Sequence, residues 1–452
     1  MGRPSEETSA LSPEEVLSQT NIGYVVISAA LVMLMTPGLA FFYGGMVRVK
    51  SALNMLMMSF IALGIVSVLW VLYGFTLAFS DTSSSPILGN LDYIGLQDIT
   101  VDQGELIAFI LFQLMFAVIT PALMSGALAD RVKFTGWALF VVLWVTVVYF
   151  PVAHWVWAVD QGWLFNQGVI DFAGGTAVHI NAGAGGLAAA LVVGKRIGFK
   201  REPMRPHNLP MVLLGAALLW FGWFGFNAGS ALSPNGTAAL MALNTQVATA
   251  AAIIGWLAYE RLRHGAFTTL GAASGAVAGL VAITPSGANV NPMGALLIGV
   301  VAGVVCAWAV GLKYRLGYDD SLDVVGVHLF GGVVGTLMVG FLATDGVGGF
   351  EQFGKQALGA FSVMAYSFVV SYLLAQLVQR TIGFRASEEE ETAGLDLAYH
   401  AETGYDFSQT GSGTVAVGAA AGTAGAAESG GRTGDRHGEK AGEKAGEKKV
   451  DA

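Results

Sequence analysis

Two histidines interrupt long apolar stretches of this chain, and the residues around them repeat. A buried imidazole must find a hydrogen-bond partner, so an ionisable residue in the middle of an apolar helix indicates a functional site. Glycines four and seven positions later lie on or beside the same helical face and let a neighbouring backbone come close. The matching positions are Asp171, Val178, His179, Gly183 and Gly186 in one copy and Asp320, Val327, His328, Gly332 and Gly335 in the other. We therefore predict that His179 and His328 lie side by side, although each His could instead satisfy one hydrogen bond in helix packing.

A metal site is a third interpretation of the two histidines, and it is a poor one. Two imidazoles without a third ligand, such as a nearby buried thiol or carboxylate, do not complete the coordination that zinc or copper prefers. The single cysteine, Cys306, cannot form an intramolecular disulfide. No nucleophile with an adjacent base stands out either. We predict no metal, no cofactor and no enzymatic activity.

The composition shows what kind of element must carry the histidines. Of the 452 residues, 54% are hydrophobic and only 12% are charged, against roughly 25% charged in soluble domains. Runs of about 20 apolar residues predict eleven membrane helices, near 22–47, 52–79, 105–127, 135–157, 174–194, 208–229, 238–259, 267–284, 292–312, 325–343 and 356–383. We predict an all-α polytopic protein of the lipid bilayer. The net charge of −9 gives no nucleic-acid-binding surface.

Lysine and arginine residues fall in alternate connections between these helices. They are Arg48 and Lys50, Arg131 and Lys133, the basic residues of 195–205, Arg261 and Arg263, Lys313 and Arg315, and Arg380 and Arg385. The intervening connections hold only Lys355. The positive-inside rule then predicts an N-terminus outside, a C-terminus in the cytosol and an odd number of spans. Five spans separate the two histidine segments, so the second copy is inverted, and we predict two inverted five-helix repeats plus a long final helix.

The two ends of the chain differ from its apolar body. Acidic residues precede the first apolar run, where a signal peptide would carry positive charge. We therefore predict an extracellular N-terminal segment over 1–20 and a membrane domain over 21–384. A patterned cytosolic segment is predicted over 385–407. Residues 408–452 are rich in Gly and Ala and end in Ala-Gly-Glu-Lys repeats, which predicts a low-complexity disordered tail.

Three segments carry a resemblance to a known family. They are DFAGGTAVHINA from Asp171, GWFGFNAGS ending at Ser230, and DVVGVH ending at His328. These segments resemble motifs of the ammonium transporter family, which includes Amt transporters, methylammonium permeases and Rhesus proteins, and they are most similar to the Amt branch. The resemblance extends to about Tyr405. It implies an eleven-helix fold of two inverted halves, a homotrimer in the plasma membrane and ammonium as the substrate.

The resemblance also implies roles for individual side chains. In an outer vestibule, ammonium would be recruited by Phe112, Phe116, Trp157 and Ser230, and Phe116 and Phe226 would form a gate. The conduit and proton relay would be formed by His179 and His328. Asp171 would support the structure of the recruitment site, with further support from Trp223 and Thr284. These types suit ammonium, because aromatic faces attract a cation and a hydroxyl accepts an N–H. From the residues alone, aromatic side chains in membrane helices can equally face lipid or pack, and Asp171 can equally be a loop acid or a helix cap.

The energetics of the substrate predict how it crosses. Ammonium is an amine-type acid with a pKa of roughly 9 to 10, similar to that of lysine. Nearly all of it is therefore charged at neutral pH, and a charge is costly in an apolar conduit. We predict that ammonium loses a proton at the vestibule and crosses as ammonia, while His179 and His328 relay the proton. An ammonium sensor and a passive ammonia channel remain alternatives. The resemblance further implies regulation by a cytosolic P-II signalling protein, through a segment that contains Gly394, Asp396 and Tyr405.

Overall fold

The protein is built from membrane-length helices. The structure, a computed structural model, describes residues 12–80, 82–344 and 346–405. No strand occurs among these residues, and one isolated bridge joins Val132 to Arg385. In this described part of the chain, ten helices are long and apolar enough to cross a membrane: Glu14–Met46, Val49–Phe79, Val101–Leu128, Phe134–Trp157, Gly175–Val193, Leu209–Gly229, Gly236–His264, Pro292–Leu316, Val325–Leu342 and Phe350–Thr381. A further apolar helix, Thr269–Ile283, has 15 residues. This is the architecture of a multi-pass membrane protein.

The prediction of an all-helical membrane protein is confirmed, and the largest differences lie at helix ends. The first helix begins at Pro13 rather than near residue 22. It begins there because Ser12 and Glu15 form a capping box, in which each side chain accepts a hydrogen bond from the other residue's backbone N–H. The predicted boundary at residue 20 therefore falls inside a helix. Residues 406–452, which include the predicted disordered tail, lie outside the described part of the chain.

The first helix defines two opposite ends of the molecule. Pro13–Met46 has 34 residues, which corresponds to about 51 Å at the helical rise. Near its start, the side-chain amide of Asn21 lies 3.4 Å from the Glu105 carboxylate. Just after its end, the Lys50 ammonium group donates a hydrogen bond to the carbonyl of Thr392. We call these the Glu105 end and the C-terminal end.

Both copies of the sequence repeat adopt the same backbone form. His179 lies in the π-helical segment Gly175–Ile180, and His328 lies in the π-helical segment Val325–Leu329. A π-helical turn accommodates one extra residue within a helix and occurs frequently at functional sites. Each segment continues directly into an α-helix of 13 residues. The spacing shared by the two sequence segments therefore corresponds to a shared local structure.

The repeated glycines bring the two histidine segments together. A Cβ atom on Gly183 would lie only 2.6 Å from the backbone N of Leu329, beside His328. In the other copy, a Cβ atom on Gly332 would lie 2.9 Å from the carbonyl oxygen of Gly175. No larger residue fits at either position without displacing backbone atoms. Each copy thus packs its glycine against the backbone of the other, as small residues do between membrane helices.

The C-terminal segment folds back onto the C-terminal end as two short helices, Glu388–Ala393 and Leu395–His400. The Asp396 carboxylate accepts hydrogen bonds from the backbone N–H groups of Leu53 (3.1 Å) and Asn54 (2.7 Å). These are free donors of the first turn of a membrane helix, so Asp396 acts as a cap supplied from a distant part of the chain.

A buried glutamate fastens the same segment at a second point. Glu391 is 1% exposed and pairs with Arg48 at 3.1 Å and with Arg385 at 2.6 Å. It also accepts the backbone N–H of Ile197 at 2.7 Å. Arg48 follows the first membrane helix and Ile197 follows the helix that ends at Val193. Residues 385–400 are therefore an ordered strap across two connections.

Candidate functional site

A cavity of about 380 Å³ opens beside the third and fourth membrane helices. We call it the aromatic cavity. All four residues predicted to recruit the substrate line it: Phe112, Phe116, Trp157 and Ser230. It lies at the Glu105 end, because Phe109 and Leu232 belong both to its wall and to the wall of a pocket that contains Glu105.

The aromatic rings of this cavity enclose one space. Phe112 and Phe116 stand four residues apart and so share a helical face, with ring centroids 4.9 Å apart. The Trp157 ring stands perpendicular to that of Phe116 at 5.8 Å. Its indole N–H donates to the carbonyl of Asp171 at 2.9 Å, which fixes the ring. Ser230 donates its hydroxyl hydrogen to the carbonyl of Phe226 at 2.8 Å, so its oxygen remains an acceptor.

Two stacked rings close the floor of the aromatic cavity. Phe116 and Phe226 lie nearly parallel, with centroids 4.1 Å apart, and both side chains are fully buried. The His179 ring lies 6.1 Å from Phe226. The two rings of the predicted gate pair are thus in contact, one in the wall of the cavity and the other near His179.

The two histidines form a direct pair in the protein interior. His179 and His328 are 1% and 2% exposed, and their Nδ1 atoms lie 3.3 Å apart. The prediction that they lie side by side is confirmed. One Nδ1 must carry the hydrogen and the other must accept it, so the pair shares one proton at this contact. Nε2 of His179 has no partner among the described residues.

A buried polar network contacts His179 through the ring of Trp223. Trp223 stacks on the His179 ring at 5.4 Å, and its indole N–H donates to the hydroxyl of Thr284 at 2.9 Å. Thr284 also contacts Asn227 at 3.2 Å, and the Asn227 amide donates to Thr245 at 2.9 Å. The sequence analysis predicted Trp223 and Thr284 but missed Asn227 and Thr245. An amide directly after Phe226 in an apolar run was the available signal.

Asp171 caps the segment that carries His179. One carboxylate oxygen accepts the backbone N–H groups of Gly174 (2.8 Å) and Gly175 (2.6 Å), and the other accepts those of Thr176 (2.8 Å) and Ala177 (3.1 Å) and the Thr176 hydroxyl. Burial raises the pKa of Asp171 above its usual range, while these hydrogen bonds act in the opposite direction. Its side chain also lines the aromatic cavity. This geometry matches the helix cap that the sequence left as one interpretation.

The corresponding acid of the second copy has a different setting. Asp320 accepts the backbone N–H groups of Val324 (3.0 Å) and Val325 (2.7 Å) at the start of the His328 segment. The Lys313 ammonium group donates to the backbone carbonyl of Asp320 at 2.9 Å and pairs with the Asp323 carboxylate at 2.6 Å. Burial raises the pKa of Asp320 to about 6.

The sequence analysis missed further residues of the aromatic cavity. Phe109, Gln113 and Asn289 line it beside the predicted residues. Phe109 and Gln113 extend the face of Phe112 and Phe116 at helical spacing, and that spacing could have identified them. Among residues 12–80, 82–344 and 346–405, no three His, Cys, Asp or Glu side chains converge to hold a metal ion.

Comparison with known proteins assigns this chain to a family. The sequence model described as Ammonium Transporter Family matches residues 23–405. An ammonium transporter of Mycobacterium tuberculosis is 55% identical over 435 residues, which covers 87% of this chain and 91% of that protein. This chain belongs to the ammonium transporter family. The prediction from the three sequence motifs is confirmed.

Solved structures of other proteins share the fold of this ammonium transporter. A protein named Sensor Amt Protein superposes with a TM-score of 0.81 at 32% identity, over 85% of this chain and 99% of that one. Mep2 of Saccharomyces cerevisiae superposes with a TM-score of 0.76 at 34% identity, over 82% of this chain and 90% of that one. The family relatives are named transporters, which are not enzymes.

Proposed function

We propose that this ammonium transporter splits its substrate. Ammonium binds in the aromatic cavity, loses a proton there, and crosses as ammonia past Phe116 and Phe226, while the proton moves through His179 and His328. The observation that carries this proposal is a series of neighbouring groups, from an aromatic cavity through two stacked rings to a hydrogen-bonded histidine pair.

The aromatic cavity suits recruitment of a small cation. The faces of Trp157 and its phenylalanine neighbours supply cation–π attraction, which reaches about 2 kcal/mol when the cation is desolvated. The Ser230 oxygen accepts one of the four N–H groups of ammonium. Potassium gains the cation–π attraction but has no hydrogen to donate, so binding here already favours ammonium.

The stacked rings and the histidine pair suit the separation of ammonia from its proton. A bare charge in the interior of a membrane protein is costly, whereas neutral ammonia is not charged. The contact between the two Nδ1 atoms gives a proton a place to be held and passed on. Since potassium has no proton to lose, the same step discriminates against it.

The orientation and assembly are part of this proposal. We infer eleven spans in two inverted five-helix halves plus the final helix Phe350–Thr381, with the Glu105 end outside and the C-terminal end in the cytosol of a plasma-membrane homotrimer. The distribution of Lys and Arg supports the orientation, because Arg48, Arg131 and Arg385 gather at the C-terminal end. The matching histidine segments support the inverted halves.

The transient current of proteoliposomes after an ammonium jump tests the proposal, with potassium as the control ion. We expect a current with ammonium and none with potassium. A protein that binds ammonium and passes ammonia without any current would be a passive channel instead. The enclosure of Trp157 in the aromatic cavity favours cation recruitment over that alternative.

A sensor is the second candidate function. The favouring observation is the structural similarity, with a TM-score of 0.81, to a protein named Sensor Amt Protein. A sensor would bind ammonium at the aromatic cavity and report occupancy at the C-terminal end without sustained transport. Ammonium binding measured by calorimetry, together with no ammonium uptake into proteoliposomes, would decide for the sensor.

We further propose that the C-terminal strap regulates transport and that a cytosolic P-II protein docks beside it. The support is its attachment through Asp396 and Glu391 to two connections of the membrane domain. Deletion of the residues after Phe384 should remove inhibition by P-II in the proteoliposome assay. Asp396→Ala should weaken inhibition, whereas Glu388→Ala, at an exposed position on the same strap, should not. Full inhibition of the truncated protein would contradict the proposal.

A further inference from the structure

A second cavity, of about 410 Å³, lies next to the aromatic cavity. We call it the side pocket. It lies between the start of the first membrane helix and the start of the third, and Phe109 and Leu232 form a wall common to both cavities. Ile22, Val25 and Leu106 make the rest of its lining largely apolar. A ligand in the side pocket therefore lies against two side chains that also line the aromatic cavity.

The polar groups that line the side pocket belong to Glu105, whose side chain is exposed, and to Asn21. Glu105 contributes a carboxylate, and the Asn21 amide faces it at 3.4 Å. This arrangement leaves Oδ1 of Asn21 buried and without a donor among the described residues. Buried oxygens without a donor are uncommon in folded proteins and call for an explanation. A cation that carries N–H groups supplies the missing donors and neutralises the carboxylate.

The charge of the surrounding surface also selects a cation. The described acidic residues near this end of the molecule are Glu14, Glu15, Asp92, Asp98, Asp102, Asp160, Asp171 and Glu351, in addition to Glu105. The described connections at this end carry no Lys or Arg, and Lys355, near the start of the helix Phe350–Thr381, pairs with Glu351 at 2.8 Å. A surface of one sign concentrates ions of the other sign and raises their rate of entry.

We propose that the side pocket is a binding site for ammonium and small alkylammonium ions. It holds the ion between the Glu105 carboxylate and the Phe109 ring and delivers it past Leu232 to the aromatic cavity. This inference rests on the proposed function, because it adds a station before the recruitment site. The apolar lining extends the ligand class to methylated ammonium ions, whose methyl groups find contacts that ammonium itself does not use.

Tetramethylammonium is the probe that separates this site from transport. It has the charge and the apolar surface that the side pocket fits, and because it has no N–H group it tests the Glu105 carboxylate and the apolar lining rather than the Asn21 acceptor. It has no proton to lose, and the contact between Phe116 and Phe226 leaves no space for it. It should bind the full-length protein and inhibit the ammonium current competitively without being transported. Calorimetry on the detergent-solubilised protein measures this binding independently of any current.

Glu105→Gln is the test variant, because it removes the charge and keeps the shape. The matched control is Asp102→Asn, which removes one charge from the same surface at an exposed position outside the lining of the side pocket. At low ionic strength, E105Q should raise the half-saturating ammonium concentration about threefold, which is the effect expected from the loss of one solvent-accessible charge interaction. It should weaken tetramethylammonium binding by a similar factor, and D102N should change both by less than half as much.

The outcomes separate the possible explanations. Equal effects of E105Q and D102N would mean that only the overall surface charge matters, which overturns the side pocket as a site. Tetramethylammonium binding that E105Q does not change also overturns it. If a neighbouring copy of the chain fills the pocket, the assembled protein fails to bind tetramethylammonium while its ammonium current persists, and the proposal is wrong. Loss of the ammonium current in the wild-type protein would instead contradict the proposed function.

Discussion

The two histidine segments have the same spacing and the same π-helical backbone but different surroundings. Asp171 receives hydrogen bonds from four consecutive residues of its own segment. Asp320 receives backbone hydrogen bonds from two, and it lies beside the ion pair of Lys313 with Asp323. The first segment is thus held mainly by its own acid, whereas the second is also tied to a neighbouring helix.

The histidines differ in the same way. His179 stacks on Trp223 and lies near Phe226, so its position depends on the aromatic side of the site. His328 has His179 as its ring neighbour among the described residues. A repeated sequence therefore produces two equivalent backbones and two equivalent imidazoles, while the helices around them create unequal environments. We expect the two copies to respond differently when corresponding residues are changed.

Replacement of the histidines should have the largest effect. His328→Ala removes one half of the proton contact and leaves the aromatic cavity intact, so ammonium should still bind while its specific current falls about 100-fold or discrimination against potassium is lost. His179→Ala should do the same and should also loosen the Phe116–Phe226 stack. Proteoliposome currents with ammonium and potassium measure both. His264→Ala, at an exposed position, is the control. Wild-type currents and wild-type selectivity in both His179→Ala and His328→Ala would exclude the relay.

The next largest effect should be a difference in stability between variants of the two acids, Asp171 and Asp320. Asp171→Asn places an amide N–H group against backbone N–H donors and should cost about 2 kcal/mol of stability, the loss expected for charge-assisted hydrogen bonds. Asp320→Asn loses fewer bonds and should cost less at neutral pH. Thermal unfolding of the two variants in detergent compares them directly. An equal or larger loss in D320N would show that the first copy is not the more self-contained one.

The pH dependence of stability, compared between the wild type and D320N, should report the titration of the second acid. Burial holds the pKa of Asp320 at about 6, above its value in an unfolded chain, so the native state binds this proton more tightly. The resulting stabilisation is present at low pH and is lost as the pH rises through 6, by about 1 kcal/mol between pH 5 and pH 7. The unfolding temperature of the wild type should therefore fall relative to D320N over this range.

Asp319 provides the control for that titration. Burial disfavours its carboxylate, but the hydrogen bond from Arg196 and the charges of Arg131 and Arg196 lower its pKa to about 2. Its contribution is lost only as the pH falls through about 2, well below the window used for Asp320. D319N should reduce stability without changing the slope between pH 5 and pH 7. If the slope between pH 5 and pH 7 changed in D319N and not in D320N, the titration would not belong to Asp320 and the prediction would be wrong.

The smallest effect should come from the support of His179. Trp223→Phe keeps a ring against the imidazole and removes the hydrogen bond to Thr284, which should cost about 1 kcal/mol and shift ammonium-over-potassium selectivity. Trp137→Phe removes a similar indole hydrogen bond, of 2.8 Å to the carbonyl of Met58, away from the histidines. It should cost similar stability without any change of selectivity. Identical ammonium-over-potassium selectivity in the two variants would contradict the proposed support of His179 by Trp223.

Much of this site was accessible to sequence reasoning. Apolar runs predicted the helices, and the repeated spacing predicted that His179 and His328 would meet. The four-residue spacing of Phe112 and Phe116 is also a sequence property that indicates a shared helical face. The π-helical turns were not predicted, because one extra residue within a helix leaves the apolar character of the run unchanged. The contact of Asn227 with Thr245 was missed because it joins two helices whose packing no local pattern records.

The amino-acid sequence by itself determined the membrane helices, the positions of the two imidazoles and the glycines that allow their segments to touch, since these depend on hydrophobicity, spacing and side-chain size within one stretch of chain. Only the tertiary structure decided which groups surround each copy. The Asp396 cap on the helix after Lys50 and the wall of Phe109 and Leu232 between two cavities join residues far apart along the chain. Such contacts follow from how the helices pack around one another, which hydrophobic periodicity does not specify.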